Sequence, residues 1–551
     1  MMNGISESEK GKPKPSVFRR ILSFITILTL FSALGVPVLG AMPELAPEHQ
    51  KTLRVGFEGM TVPCSWVQSD ASGGAVPIAG TEQFINGFEV AYMKKVCQLA
   101  GYQMEAYKYD WDGLMMAVSS GKIDCAVNMI SPTEDRRQTM DFTVPYYYAD
   151  TVAVVLKNGP YAEAEKIGDL TGARATSMLN TMWYSQTDRI PQVKKTPAME
   201  NVPAMVVALQ SDKVDVILLD RPTAEGILAA NSGLTIAPMP GIGNFNETRE
   251  ETAVSIALPR GSEEILADLN NAIAQISQEE LETMIAEASQ HQPMEKSEQD
   301  VAALSFFSMV GLLLREYGAV FLQGAALSLM LAFFGTLLGT MIGCLTGAAA
   351  AFPLDEEGNL FKRSSLRVIQ AIVSFYVWLF RGTPMMVQAM VIYYGAAQLL
   401  GWNMNPLLAG LFIISVNTGA YMTETVRGGI LCVDKGQLEG AKAIGMNTFQ
   451  SMFRIILPQG FRSMIPQIGN YLISNIKDTS LLSVITVGEL FYRAREAAGQ
   501  YFRFFEVFLI VSLIYLFLTT VVTYLLKRIE NKINKTGNYQ LQETAYKENA
   551  I

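Results

Sequence analysis

The chain has 551 residues, room for two or more domains, and half of them are apolar while only 17% are charged. Soluble domains carry about 25% charged residues, so part of this chain is expected inside a membrane. A net charge of −9 without a basic block leaves no nucleic-acid footprint, and the two histidines, His49 and His291, lie in polar sequence unsuited to a metal or catalytic centre.

Five lysines and arginines, Lys10 to Arg20, precede an uncharged stretch from Ile21 to Ala41, so residues 1–41 read as a signal peptide or a retained signal anchor. The chain beyond this segment is expected to be exported. From Lys51 to about residue 290, apolar runs (LRVGF, YQMEAYKY, CAVNMI, VAVVLK, DVILLD, AVSIALP) alternate with helical patterns such as FEVAYMKKVCQLAG and WDGLMMAVSSGK. Strand and helix in alternation predict a mainly parallel α/β sheet. The runs near 151 and 252 would connect two lobes. Residues 291–318 read as a linker and pre-membrane segment.

No charge occurs between Glu316 and Asp355, which predicts one long tilted helix. Further spans are expected at about 368–398, 406–426, 464–487 and 507–526, making an all-α membrane domain of five spans over 319–526 with a tail at 527–551. Lys362, Arg363, Arg367, Lys435, Lys442, Arg454, Arg462, Lys527 and Arg528 place the intervening linkers and the tail on the cytoplasmic side. The 51–290 domain then faces outward, while Arg493, Arg495 and Arg503 fall awkwardly in an outer loop. The five cysteines show no C-x-x-C or metal-type spacing, no metal site is expected, and no G-x-x-x-x-G-K-[ST] loop for ATP occurs.

Several segments carry a resemblance. LRVGFEGMTVPCSW, INGFEVAYMKKV, DWDGLMMAVSSGKIDCAVNMI and PTEDRRQTMDFTVPYY resemble two-lobed amino-acid-binding proteins of the periplasmic Venus-flytrap kind. A free amino acid must be held by carboxylate and ammonium together, and the planar fork of arginine suits a carboxylate. By that resemblance Arg136 is the carboxylate clamp, Ser131 and Thr181 neighbouring donors, Asp220 the ammonium acceptor, Glu58 a side-chain contact and Trp111 an aromatic wall. Plainer readings stand beside these: Arg136 paired with Glu134 or Asp135, Asp220 as a helix cap, Trp111 as core, Glu58 as a loop carboxylate. Met129 stands where the family has glycine, Thr61 where it has an aromatic residue, and SMLNTMW replaces its second-lobe turn.

The stretch from Glu439 to Gly445 reads E-G-A-x-x-x-G and is followed by Ile455-Ile456-Leu457-Pro458. This resembles the EAA loop of ABC-importer permeases, the contact for a separate ATPase, with Gly440 where alanine is usual. Three more segments, RGTPMMVQ at 381–388, AYMTETVRGGI at 420–430 and NYLISNIKDTSLLSVITVGEL at 470–490, resemble the polar-amino-acid branch of type I ABC permeases. The resemblance implies a permease fused to its own binding domain, importing a polar or basic amino acid such as glutamine. It implies an ABC ATPase coupled through Glu439, Ala441 and Gly445 of a cytoplasmic loop at about 427–462, and assembly as a homodimer in the lipid of the cell membrane. Arg381, Lys477 and Asp478 are translocation candidates, because ionisable groups within spans are costly unless paired or facing water. A ligand-gated channel or a transmembrane sensor is the alternative. The channel lacks a filter sequence here, and the sensor lacks an output domain.

Overall fold

In the computed structural model, residues 51–239, 245, 248–291, 306–352, 360–501 and 503–535 are described. The leader at 1–41, residues 292–305 of the linker and the end of the tail lie outside them. The run KTLRVGF begins exposed and then buries Val55, Gly56 and Phe57 on both faces, as a central strand does. This is β1 (Lys51–Phe57). The helix α1 (Phe88–Ala100) returns the chain to β2 (Tyr102–Lys108), parallel to β1 along its whole length. At Asp110 the carboxylate accepts from Gly113 N–H at 3.0 Å and starts α2 (Trp111–Ser119). Then come β3 (Cys125–Ala126) and β4 (Met140–Phe142).

The chain crosses into a second lobe at β5 (Thr151–Leu156). That lobe contains β6 (Arg174–Thr176), β7 (Lys194–Lys195), α3 (Val202–Gln210), β8 (Val216–Asp220), α4 (Arg221–Ala230) and β9 (Leu234–Ile236). It recrosses to place β10 (Ala257–Pro259) in the first lobe. The two five-stranded sheets have the orders β2-β1-β3-β10-β4 and β7-β6-β8-β5-β9. Strands joined by helices are parallel, as expected, but β10 runs antiparallel to β3 and β4, and β5 antiparallel to β8 and β9. The helical-crossover rule governs only strands connected within one lobe, and β5 and β10 arrive from the other.

The uncharged stretch after Glu316 lies in one helix, α5 (Phe306–Ala351), which starts earlier than the expected 319. The expected span at 368–398 is broken at Gly382-Thr383-Pro384 into α6 (Leu360–Gly382) and α7 (Met385–Leu400), since proline cannot continue the hydrogen-bond ladder. Asn405 caps α8 (Pro406–Leu431), with proline in the first turn. After the short α9 (Lys435–Ala443), α10 (Leu457–Asp478) gives way to a 3-10 run from Thr479 to Ile485 where the sequence suggested one span to 487. The chain then forms α11 (Leu490–Tyr501) and α12 (Phe504–Lys535). Among the described residues α5, α8 and α12 are each long and apolar enough to cross a membrane.

Close packing of α5 on α8 rests on glycines four residues apart. A Cβ at Gly335 would stand 2.3 Å from Ile414, and one at Gly347 2.6 Å from Val426. Such small residues let helices approach where water gives no hydrophobic drive. Asn475 on α10 joins both, donating to Thr336 (2.8 Å) and Thr418 (2.9 Å).

Candidate functional site

Between the two lobes lies a cleft lined by Glu58, Trp111, Ser131, Arg136, Thr181 and Asp220, the six residues expected from sequence. Glu58 comes just after β1 and is 4% exposed. It accepts from Asn128 Nδ2 and Thr61 Oγ1, each at 2.9 Å. Burial pushes its carboxyl above the usual range, opposed by those donated bonds. Asp220 ends β8, is 1% exposed, and accepts from Thr223 N–H at 2.8 Å. It therefore caps α4 and also lines the cleft. Burial raises its carboxyl too.

Arg136 sits on a single helical turn, Glu134–Arg137. Its guanidinium donates to the carbonyls of Ser131 (2.9 Å) and Asn180 (2.8 Å), the second across the cleft, and lies 5.3 Å from the Trp111 ring. Among the described residues it forms no ion pair with Glu134, Asp135 or any other carboxylate. Burial lowers it to about 10, so it stays cationic at neutral pH. Ser131 Oγ meets Met182 Sδ at 3.0 Å, and Thr181 Oγ1 donates to Met178 O at 2.6 Å. The lobes are closed on each other, with Asn180 Nδ2 donating to Asp112 at 3.1 Å.

Sequence reasoning passes over three residues here. Asn128 orients Glu58, Asn180 bridges the lobes, and Glu89, fully buried, accepts from Tyr146 Oη–H and Met129 N–H. Burial pushes Glu89 up to about 7. Met129 has φ +47°, keeping the left-handed backbone that glycine would adopt more cheaply, and that conformation aims its N–H at Glu89.

Residues 343–535 match the family described as binding-protein-dependent transport system inner membrane component, and residues 53–288 match bacterial extracellular solute-binding proteins, family 3. The arginine transport system permease protein ArtQ of Bacillus subtilis (strain 168) is 33% identical over 212 residues, 38% of this chain and 91% of its own length. The glutamine transport system permease protein GlnP of Escherichia coli (strain K12) is 34% identical over 213 residues, 38% of this chain and 92% of its own. The chain belongs to the amino-acid ABC transporter permeases. It carries a solute-binding domain fused ahead of the permease, and it is a component of an amino-acid importer. A solved structure described as the substrate binding protein of an amino acid ABC transporter is 22% identical, covers 42% of this chain and 97% of its own, and has a TM-score of 0.36.

In this ABC permease the expected coupling loop is built around α9, capped by Asp434 onto Gly436 N–H at 2.7 Å. Glu439 is exposed, and Gly445 is exposed with φ +84°, the left-handed turn that ends the helix. Ala441 is 2% exposed and packs into the chain itself, so it is no outward contact. Beside Gly445 the surface is apolar: Ile444 is 77% exposed and Phe449 60%. Of the membrane candidates, Arg381 is exposed with its guanidinium 5.5 Å from the Tyr421 ring. Lys477 and Asp478 end α10. Lys477 is exposed in a groove with Thr519, Thr523, Tyr524 and Lys527, and among the described residues it forms no ion pair with Asp478.

Proposed function

We propose that the fused domain binds a free amino acid with a basic or amide-bearing side chain, glutamine among them, and delivers it to the permease half of the same chain. The observation that carries this reading is the convergence of Arg136, Asp220 and Glu58 in one cleft. Arg136 takes the ligand carboxylate, with Ser131 and Thr181 beside it, and Asp220 takes the ammonium. Glu58 then remains as a second buried carboxylate. A cationic side chain neutralises it, an amide donates to it, and an acidic one sets two like charges together. Trp111 forms a wall of the cleft. Its Nε1, like Asn128 Oδ1, is buried without a hydrogen-bond partner among the described residues, which suits polar contacts with the ligand.

In this reading the binding domain, about 51–290, faces outward, preceded by a leader at 1–41. The permease, about 319–526, crosses the membrane five times and pairs with a second copy. A separate ATPase supplies ATP hydrolysis and docks from the cytoplasm on the loop carrying Glu439 and Gly445. Arg381, Lys477 and Asp478 are the charged candidates along the translocation path.

Calorimetry of the purified chain against arginine, lysine, histidine, glutamine, glutamate and aspartate tests the ligand class. Basic or amide-bearing amino acids are expected to bind, and Glu58→Gln to erase the advantage of the basic ones. Glutamate or aspartate binding more tightly than all of them would contradict the assignment of Glu58.

A further inference from the structure

The helix α11 lies between the membrane helices and the binding domain, and it explains two of the arginines that sit awkwardly in the outer loop, Arg493 and Arg495. Lys108 Nζ, at the end of β2, is 2.8 Å from Glu496 Oε1 of α11, both side chains 5% exposed. Arg493 pairs with Glu496 at 3.0 Å and also donates to Gln83 of the first lobe. Arg495 Nη1 is 3.3 Å from Asp110 Oδ2, the residue that caps α2. The Lys108 ammonium stands 4.1 Å from the Tyr492 ring, and that of Lys122 3.5 Å from the ring of Tyr393 on α7. At Gly113 a Cβ would come 2.8 Å from Tyr394 Oη.

All of these partners belong to the first lobe. The second lobe meets the permease differently: α3 packs on α11 and α12, where Val202, Met205 and Val206 share an apolar cluster with Ala494, Ala497 and Val511. The ion pairs Lys108–Glu496 and Asp110–Arg495, which cross between domain and permease, both start in the first lobe. Ion pairs with hydrogen-bond geometry hold two surfaces in one orientation, whereas apolar contact is non-directional and can shift or re-form in another register. The first lobe therefore carries the contacts that fix its seating, and the second can move against α11 and α12 without breaking a directional bond. The same helix touches the cleft wall, because Asp110, held by Arg495, immediately precedes Trp111, which faces Arg136 at 5.3 Å.

We propose that the first lobe is a fixed attachment of the binding domain to the permease of its own chain, anchored by Lys108–Glu496 and Asp110–Arg495, and that α11 and the start of α12 register bound amino acid through contact with α3 of the closing second lobe. Capture then takes place on a seated domain. Opening swings the second lobe away, and closure lays α3 on the outer end of the last membrane helix. The register of ligand rests on the cleft being the amino-acid site, but the anchor does not.

Distances between paired spin labels test both parts in the full chain, with the exposed Cys432 replaced by serine and labelled chains diluted in unlabelled ones. One pair joins the first lobe to the permease (Lys94→Cys with Asn403→Cys), the other the second lobe to the permease (Lys213→Cys with Asn403→Cys); all three sites are exposed. The first distance is expected to be narrow and identical with and without arginine or glutamine, while the second shortens and sharpens when either is added. A first distance that broadens without amino acid overturns the anchor. A second distance that stays unchanged, while calorimetry on the same sample records binding, overturns the register. Glu496→Lys should reduce the docked population roughly 100-fold or more and broaden the first distance, and the exchange Lys108→Glu with Glu496→Lys should restore it. Failure of the single variant to broaden it, or of the exchange to restore it in a chain whose melting is unaltered, refutes these residues as the anchor, whether or not any amino acid binds.

Discussion

Replacing Arg136 by alanine is expected to weaken amino-acid binding by roughly 30-fold or more, the effect of removing one partner from a desolvated charge pair worth about 2–5 kcal/mol. The guanidinium is partly buried without a carboxylate of its own among the described residues, and it is held by two backbone carbonyls, Ser131 O and Asn180 O. Carbonyls orient it but leave its charge uncompensated, and in the proposed function a ligand carboxylate supplies the missing anion. Arg136→Lys keeps the charge and loses the fork, and should recover only part of the affinity. Because Arg136 also joins the lobes, thermal melting without ligand should accompany the calorimetry. Unchanged affinity in Arg136→Ala would remove the residue from the site, and Asp220→Ala should be comparably damaging through the ammonium.

The second large effect is expected at the other end of the molecule. Gly445→Asp should abolish ligand-stimulated ATP hydrolysis and co-purification of the ATPase while leaving amino-acid binding intact. At φ +84° any side chain is strained, and aspartate adds an unpaired charge beside the exposed Ile444 and Phe449, a surface that docking would desolvate. Gly445→Ala separates the two causes, since it carries the strain without the charge and should lose less. Ile444→Asp, at a site 77% exposed with no special backbone geometry, should reproduce the loss without disturbing the turn. Stimulated hydrolysis at the unmodified level in both aspartate variants would show that this loop does not couple the two proteins.

Much of the fold is legible where the signal is local. The strand runs LRVGF, YQMEAYKY, VAVVLK and DVILLD and the uncharged stretch of α5 are properties of neighbouring residues, and they appear in the structure as read. By contrast, AVSIALP divides into Ala253–Val254 and Ala257–Pro259, and CAVNMI keeps only Cys125–Ala126 as strand. The antiparallel strands β5 and β10 are not legible, because their direction depends on the chain crossing between lobes. Hydropathy alone reads residues 368–398 as continuous, while the Gly-Thr-Pro sequence after Arg381 marks the helix break that the structure shows there. The cleft is legible from PTEDRRQTMDF and from the strand ending in Asp220. Asn128 and Asn180 are not, because their roles appear only once residues far apart in sequence are brought together. The same holds for Arg495, whose partner Asp110 lies 385 residues away, so that a residue puzzling in a topology plot is satisfied in the fold. Ala441 reads as an outward contact in sequence because small residues suit a docking helix, yet that smallness serves packing within the chain.

The most direct measurement is uptake of labelled amino acid into proteoliposomes containing this chain and its ATPase, with ATP sealed inside the vesicles in one preparation and absent from the other. Only complexes with the ATPase facing the lumen and the binding domain facing the medium meet both ATP and labelled amino acid. Through these, accumulation above the external concentration should require lumenal ATP and fall to background in Arg136→Ala. Accumulation that is indifferent to ATP, or that persists undiminished in Arg136→Ala, would contradict an ATP-driven importer fed by its own binding domain.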